Sequence, residues 1–182
     1  MKIHVVSPLP WSREQVFTAY RDHLPDMVQY LPNIQKIEVA KRTEATPGVI
    51  ALENHWYGRA EIPKAAQSII KPELLRWIDR ATWYNDEWRC DWQIELFFLK
   101  EAVSCRGEDT FKETGPRSCE MVITGDLSID LHKVPGIPSL LVGSLQPQIE
   151  KFIVSLITPN FHTVNQGISR YLAQKASQTP QV

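Results

Sequence analysis

Apolar and polar residues alternate most regularly in the middle of the chain. The apolar positions there recur at every second residue: Trp88, Cys90, Trp92, Ile94, Leu96 and Phe98. Side chains with a period of two line one face of a β-strand, so this segment predicts a strand with one buried face. Residues 103–111 and 119–129 repeat the pattern on either side of a turn at Gly115. The three segments predict a meander of long antiparallel strands.

Shorter alternating segments predict further strands on the N-terminal side of this meander. They cover, in order, residues 2–7, 34–39, 49–57 and 74–83. Pro47 and Gly48 predict a hairpin turn between the second and third of these strands. After the first strand, Ser12 and Gln15 form a capping-box pattern that begins a helix, and residues 25–31 predict a second short helix.

Helical periodicity replaces alternation near the C-terminus. Apolar residues at spacings of three and four continue from Leu145 to Leu172, which predicts one long amphipathic helix. Pro159 lies inside this pattern, and an interior proline removes a backbone hydrogen bond. We therefore expect a kink there, or a restart capped by Thr158. The element order predicts an α+β fold: a curved antiparallel sheet of about six to seven strands, two short helices after the first strand and a long C-terminal helix.

Turn positions predict how the central strands pair. If the first turn lies at residues 100–101, antiparallel pairing sets Arg106 opposite Glu95 on the outer face. The same register places Asp109 beside Trp92 on the inner face. Opposite charges that face each other across a strand pair favour this arrangement.

The charge balance excludes several classes of partner. The chain of 182 residues has 20 basic and 21 acidic side chains, for a net charge of −1, and the two signs are interspersed. Binding to nucleic acid needs a basic patch, so nucleic acid is not an expected partner. No uninterrupted apolar run of about 20 residues is present to span a bilayer, which leaves transient membrane contact open. We expect a cytoplasmic protein, and the sequence leaves its oligomeric state undecided.

Length and composition fit one domain over residues 1–176, followed by a flexible tail at residues 177–182. Cys90, Cys105 and Cys119 lack the close pairs of a disulfide framework or a zinc site, so we expect reduced core thiols. Glycine-rich nucleotide-binding motifs are absent from the sequence. We expect neither a metal nor a cofactor.

One local segment, together with the element order, resembles a known family. The segment Val-Phe-Thr-Ala-Tyr-Arg-Asp-His-Leu-Pro-Asp-Met-Val-Gln-Tyr-Leu-Pro runs from Val16 to Pro32. It resembles the segment leading to a Tyr-x-x-x-Leu/Phe-Pro-like turn in coenzyme Q-binding and polyketide cyclase relatives of the START and Bet v 1-like (SRPBCC) superfamily. The resemblance covers almost the whole chain and implies the helix-grip fold. It also implies a cavity between the concave sheet and the last helix that holds a lipid, a quinone or a polyketide-like molecule.

The implied cavity and the predicted strand faces together assign candidate ligand-binding residues. We expect a sheet wall and a helix wall: Trp88, Trp92, Ile94, Phe111, Met121 and Ile123 from the sheet, and Phe152 and Leu156 from the helix. Large aromatic side chains fill a curved sheet as readily as they line a ligand site, so both roles stay open for the tryptophans.

Asp109 is the candidate polar residue of the sheet wall. It lies between Gly107 and Phe111 on the predicted inner face, where loss of water should raise its pKa. A protonated carboxyl group suits two roles, the orientation of a polar head group and general acid catalysis. The structural alternatives are a hydrogen bond to Trp92 and a bulge that turns Asp109 outward.

Glu53 and His55 form a second candidate pair. They lie two residues apart in one predicted strand, hence on the same face, where they could move a proton together. Both faces of this strand are equally apolar, so the pattern leaves open whether the pair faces the cavity or the solvent.

Three hypotheses about function follow. The leading one is binding or transfer of a hydrophobic small molecule without catalysis. The second is a cyclase or dehydratase acting on a polyketide-like substrate, in which Asp109 or the pair of Glu53 and His55 moves protons. The third is an interaction module whose core is filled by side chains.

Overall fold

The computed structural model describes residues 1–62, 64, 67, 71, 75–97, 99–134 and 137–178, without the side chains of Ala45, Leu156 and Ile157. Within these residues the chain forms seven β-strands and two α-helices. In chain order they are β1 (Lys2–Leu9), α1 (Arg13–Asp22), β2 (Ile34–Thr46), β3 (Val49–Gly58), β4 (Arg76–Tyr84), β5 (Arg89–Leu96), β6 (Val103–Gly115), β7 (Ser118–Ile129) and α2 (Ser139–Gln178). Short 3-10 helices, Leu24–Tyr30 and Leu131–Lys133, follow α1 and β7.

All seven strands belong to one antiparallel sheet with the order β1-β7-β6-β5-β4-β3-β2. Each strand from β2 onward pairs with its neighbour in sequence, and β1 pairs with β7 at the far end. The N-terminal strand, the two short helices after it, the long meander and the C-terminal helix match the predicted α+β architecture, which is thereby confirmed.

The β5–β6 register differs from the prediction by two residues. Arg106 lies opposite Gln93, not Glu95, and Trp92 lies opposite Gly107. The difference arises because the connection closes one residue earlier than expected, with the Ala102 N–H donating to the Leu99 carbonyl at 2.9 Å. A shift of two residues keeps every side chain on its predicted face. The register was therefore wrong, whereas the assignment of faces was right.

A glycine pair brings β6 and β7 close beneath the ring of Trp92. Gly107 and Gly125 face each other across the two strands. A Cβ atom added to Gly107 would lie 2.4 Å from Trp92 Cζ2, and one added to Gly125 would lie 2.8 Å from Trp92 Cη2. Both distances are far shorter than a van der Waals contact between carbon atoms. The absence of side chains at these positions thus gives the indole its place on the inner face.

Helix α1 begins as the sequence predicts and closes one end of the sheet. The Gln15 N–H donates to Ser12 Oγ at 3.3 Å, and the Ser12 N–H donates to Gln15 Oε1 at 3.1 Å, which completes the capping box. Phe17 then packs edge-to-face against Trp83 and Phe111, with ring centroids 5.1 and 5.2 Å apart. These contacts fix α1 against the inner face of β4 and β6.

Helix α2 runs without interruption from Ser139 to Gln178, with Pro147 and Pro159 inside it. The expected restart at Thr158 was wrong. Packing on the sheet supports the helix through this region, since Ile149, Ile153 and Ile168 are completely buried. A lost backbone hydrogen bond is a smaller effect than the burial of several such side chains.

The C-terminal half of α2 is fixed by side-chain hydrogen bonds to the N-terminal segment. Asn165 donates to Ser7 Oγ at 2.6 Å, and the Trp11 indole N–H donates to Ser169 Oγ at 3.0 Å. The predicted tail begins inside the helix, because residues 177 and 178 are helical. Residues 179–182 lie outside the described part of the chain.

By length and composition alone, α2 is apolar enough to cross a membrane. An 18-residue window of the helix reaches a mean hydropathy of 1.2, and 25% of that window is buried. Core helices of soluble folds meet the same criterion, and one such helix is weak support for a membrane span. Here α2 packs against the sheet and against α1.

Candidate functional site

A cavity lies between the inner face of the sheet and the helices α1 and α2. Strands β3 to β6 supply its floor and the two helices, with Leu24, supply its roof: Tyr20, Leu24, Asn54, Trp56, Trp77, Asp79, Ala81, Trp83, Cys90, Trp92, Ile94, Asp109, Asn160, Phe161 and Val164. The centre of a water molecule can occupy about 50 Å³ of it. At about 10–15 Å³ for each water, this space holds about three to five water molecules.

Three of the predicted ligand-binding residues line this cavity, namely Trp92, Ile94 and Asp109. Met121, Ile123 and Phe111 are buried in the core but are not among the lining residues. The curvature of the sheet explains this result, because α1 packs over that end of the inner face and fills it, for instance with Phe17.

Trp88 does not lie in the sheet wall. It precedes β5 in the turn after β4 and has a backbone φ of 52°, so its side chain does not follow the alternation of the strand. Its ring packs against Phe17 at 5.2 Å, and the Arg13 guanidinium lies 4.3 Å from the ring centroid. Trp88 therefore contributes to the packing of α1 and not to the cavity.

The helix wall lies further along α2 than predicted. Asn160, Phe161 and Val164 line the cavity, whereas Phe152 is buried elsewhere in the core. The side chain of Leu156, the other predicted residue, lies outside the described part of the structure. Helical periodicity identified the apolar face of α2 but not the turn of the helix that crosses the open part of the sheet.

Glu53 and His55 lie on the outer face of β3, away from the cavity. His55 Nε2 lies 3.0 Å from Glu53 Oε1, and Arg80 Nη2 lies 3.3 Å from Glu53 Oε2. Asn54, between them, points inward and is 2% exposed. The sequence left open which face of β3 points inward. In the structure the Asn54 amide lines the cavity, whereas the Glu53 carboxylate and the His55 imidazole lie on the outer face.

Aromatic rings form most of the cavity wall. Trp56 and Trp77 lie opposite each other on β3 and β4, and their rings stack with centroids 5.6 Å apart and planes at 16°. On the other side the Trp92 and Phe161 rings lie 5.3 Å apart, which joins β5 to α2. Such faces carry negative charge density and bind flat or cationic groups well.

Asp109 is almost completely buried, with 2% of its surface exposed. The Trp92 indole N–H donates to Asp109 Oδ1 at 2.8 Å, so the hydrogen bond that the sequence left as an alternative is present. Burial raises the pKa of Asp109 well above its usual range, the Trp92 hydrogen bond opposes this, and the negative charges of Asp79 and Glu108 raise it further. Burial is therefore the main influence on the charge of Asp109, and it favours the protonated form.

Asp79 is a second inward-facing carboxyl group. It keeps some accessible surface because it lines the cavity, yet burial raises its pKa from 3.8 to about 6. The Asn54 amide donates to Asp79 Oδ2 at 3.2 Å, and this hydrogen bond partly opposes the rise in pKa. The nearby Trp56 indole N–H also lowers the pKa of Asp79, although it does not complete a hydrogen bond. Asp79 is consequently mostly ionised at neutral pH.

Two further titratable groups of the cavity stay neutral. Burial raises the pKa of the Tyr20 hydroxyl well above 10.0, and the negative charges of Asp109 and Asp79 add to that rise. Burial also raises the pKa of the Cys90 thiol, again with the two carboxyl groups adding to it. The cavity therefore combines two carboxyl groups with a neutral phenol and a neutral thiol.

Buried polar atoms of the lining that have no hydrogen-bond partner among the described residues include Asn54 Oδ1, an acceptor, and two donors, Trp56 Nε1 and Trp83 Nε1. Leaving a buried polar group unpaired costs about 1–3 kcal/mol. Native proteins keep few such groups, and those that they keep often have a functional reason. These unpaired atoms belong to residues of the cavity wall.

Sequence reasoning missed Asp79, Trp56, Trp77 and Tyr20 as site residues. Asp79 lies between Trp77 and Ala81 at the spacing of an inward-facing position, and this alternation was the signal that could have identified it. Tyr20 and Trp56 gave no such signal, because their roles depend on where α1 and β3 meet the cavity. Among the described residues, no group of three or more His, Cys, Asp and Glu side chains could hold a metal ion.

No protein-family model and no curated protein matches the sequence. Solved structures match along nearly its whole length. The TTHA0849 protein from Thermus thermophilus is 17% identical with a TM-score of 0.66, and the match covers 98% of this chain and 100% of that one. The Zhui aromatase/cyclase from Streptomyces sp. R1128 is 11% identical with a TM-score of 0.66, over 100% of this chain and 99% of that one.

A third similar structure is norcoclaurine synthase from Thalictrum flavum in complex with dopamine and hydroxybenzaldehyde. It is 16% identical with a TM-score of 0.57, and the match covers 100% of this chain and 89% of that one. Other matches include a START superfamily protein from Mycobacterium smegmatis and Ara h 8.0201. The chain therefore has the helix-grip fold shared by START and Bet v 1-like proteins, as the resemblance in its sequence implied.

Proposed function

We propose that the chain binds a small, largely apolar molecule in the cavity between the sheet and α2. The observation that carries this proposal is an aromatic cavity whose wall includes Asn54 and Trp83, two residues with an unpaired buried polar atom. Ligand sites combine apolar walls with a few placed polar groups in this way. The ligand, or the part of it that enters, is about the size of one aromatic ring, because a longer lipid or quinone tail exceeds the free volume.

The fold supports the same proposal. The similar structures include an aromatase/cyclase and a norcoclaurine synthase, the latter in complex with dopamine and hydroxybenzaldehyde, two single-ring compounds. The leading function is therefore binding or transfer of a hydrophobic small molecule, with Asp109 as an orienting donor. A core completely filled by side chains is the alternative that a binding experiment excludes.

Binding is tested with toluene as a single-ring probe, followed by tryptophan fluorescence. We expect saturable binding to the wild type and its loss in Ala81→Leu, because Ala81 is a buried lining residue and the added atoms occupy the cavity. Ala40→Leu, at an exposed position of β2, is the matched control and should bind like the wild type. Absence of saturable binding, together with an empty organic extract of the purified protein, would contradict the proposal and favour a filled core.

A second candidate function is general acid–base catalysis of the cyclase or dehydratase type. The observation that favours it is the pair of inward-facing carboxyl groups in one cavity: burial raises the pKa of Asp79 to about 6 and the pKa of Asp109 well above its usual range. Such a pair supplies a base and an acid in one site. Asp79 would remove a proton next to a carbonyl group, and Asp109 would protonate the carbonyl oxygen, giving an enol.

This chemistry is tested by exchange of the methyl protons of acetophenone in deuterated water, followed by NMR. We expect the wild type to accelerate exchange and Asp109→Asn to lose most of the acceleration, because asparagine keeps the hydrogen bond with Trp92 but has no acidic proton. Asp126→Asn, on the exposed outer side, is the control. Equal exchange with and without protein would remove the catalytic candidate and leave binding.

A further inference from the structure

The charges of the cavity are one-sided. In the part of the chain that the structure describes, its lining includes two carboxyl groups, Asp79 and Asp109, and no lysine, arginine or histidine. Among the described residues, neither carboxyl group forms an ion pair with a basic side chain, although such pairs are frequent on the outer face. A carboxylate in an apolar site without a cation is costly, and natural sites usually provide a partner for it.

The acceptors of the cavity lie side by side. Asn54 and Asp79 are direct partners on β3 and β4, and the Asn54 amide donates to Asp79 at 3.2 Å. This contact leaves Asn54 Oδ1, on the same amide, without a partner in the described structure. A carboxylate and an unpaired amide oxygen next to each other match the several N–H donors of an ammonium group.

The aromatic walls fit the same chemistry. Trp56 and Trp77 stack next to this pair of acceptors, since Trp56 lies two residues from Asn54 and Trp77 two residues from Asp79, on the same inner face. Tryptophan faces attract cations more strongly than other side chains do, especially where water is excluded. Trp92 and Phe161 continue the aromatic lining toward α2.

We infer that the ligand of this cavity carries a positively charged nitrogen, such as a protonated amine attached to an apolar ring, and that Asp79 and Asn54 Oδ1 receive it. This inference rests on the proposed binding function and names the class of ligand. Asp79 supplies the negative charge that meets the positive charge of the ligand.

Asp79 is the group that makes binding depend on pH. The titratable groups that face it are Tyr20 from α1, Cys90 from β5 and Asp109 from β6, while β3 and α2 contribute the uncharged amides of Asn54 and Asn160. Burial raises the pKa of each of these groups, so the Tyr20 hydroxyl and the Cys90 thiol are neutral between pH 5 and pH 7.5, as is the nearby thiol of Cys105 on β6. Asp79, with a pKa of about 6, changes from mostly protonated to mostly ionised over this interval.

The test compares benzylamine with benzyl alcohol, two single-ring compounds of nearly equal size, by calorimetry. Benzylamine stays protonated throughout this pH range, as alkyl ammonium groups do. At pH 7.5 we expect benzylamine to bind the wild type at least about tenfold more tightly, which corresponds to about 1.4 kcal/mol. At pH 5 its affinity should fall about tenfold, following the ionised fraction of Asp79, while benzyl alcohol should bind equally at both values.

Two variants locate the effect. Asp79→Asn should abolish the preference for benzylamine over benzyl alcohol at both pH values. Asp126→Asn removes an exposed carboxylate that pairs with Lys2 outside the cavity, and it should keep the preference. The comparison of the two pH values needs no variant, so it remains decisive even where a substitution disturbs folding.

The outcomes separate this inference from the proposed function. Equal or tighter binding of benzyl alcohol at pH 7.5, with loss of binding in Ala81→Leu, would overturn the cation inference and leave the binding proposal in place. Absence of binding by benzylamine, benzyl alcohol and toluene would overturn both. A preference for benzylamine that survives in Asp79→Asn would also contradict the inference, because a group other than Asp79 would then bind the ammonium group.

Discussion

Replacing Asp79 by asparagine should change how the stability of the protein depends on pH. Burial raises the pKa of Asp79 from 3.8 to about 6 in the folded state. Between these values the folded chain holds a proton that the unfolded chain has lost, so ionisation of Asp79 costs stability as the pH rises. The contribution of the protonated group is complete below pH 3.8 and is lost as the pH passes through about 6.

The size of the effect follows from the shift. A rise of about two pH units at about 1.4 kcal/mol for each unit amounts to about 3 kcal/mol. Asparagine has nearly the same shape, can accept the hydrogen bond from Asn54 and does not ionise. The free energy of unfolding of Asp79→Asn, relative to the wild type, should therefore increase by about 2 kcal/mol between pH 4 and pH 7, because part of the effect already lies below pH 4.

The assay is unfolding by urea at pH 4, 5.5 and 7, followed by tryptophan fluorescence. Asp126→Asn is the control, because Lys2 lowers the pKa of Asp126 and its contribution to stability has the opposite sign. Its free energy of unfolding relative to the wild type should not rise with pH. A change of less than about 1 kcal/mol for Asp79→Asn over this range would refute the argument that burial controls the charge of Asp79.

Two further outcomes concern packing and the thiols. Gly125→Ala should lower the free energy of unfolding by about 1–3 kcal/mol, because the new Cβ would lie 2.8 Å from the Trp92 ring. Gly143→Ala, whose new Cβ would have no atom within 4 Å, should raise the free energy of unfolding by up to about 1 kcal/mol, because alanine has the higher helix propensity. Equal changes for the two glycine variants in urea unfolding would contradict this account. Cys90, Cys105 and Cys119 should not react with Ellman's reagent at pH 8 until urea is added, because burial raises the pKa of all three thiols. Fast reaction of one thiol in the folded protein would contradict this expectation.

The sequence predicted the strands well because alternation is a local property. Cys90, Trp92 and Leu96 point inward as expected, and so does Asp109 on the neighbouring strand. Trp88 was the exception: a turn residue with positive φ does not obey the period of the strand that follows it. The β5–β6 register was wrong by two residues because the length of a connection cannot be read from the alternation of the strands that it joins.

The candidate site was predicted only in part. Trp92, Ile94 and Asp109 were identified because they combine an inward position with a central strand. Met121 and Ile123 have the same pattern, yet they are buried in the core beyond the cavity lining. The alternation of a strand does not distinguish an inward residue that a helix covers from one that faces the cavity.

The sequence by itself determined which residues turn inward, where α1 begins and that a long apolar helix ends the chain, because periodicity and capping act over a few residues. The tertiary structure alone decided which inward residues meet at the cavity. The curvature of the sheet, the close approach of Gly107 and Gly125, and the place where α2 crosses β5 bring Asp79 and Asp109 into one enclosed space. Their pKa values depend on how much protein surrounds them, and that is a property of the whole packed fold.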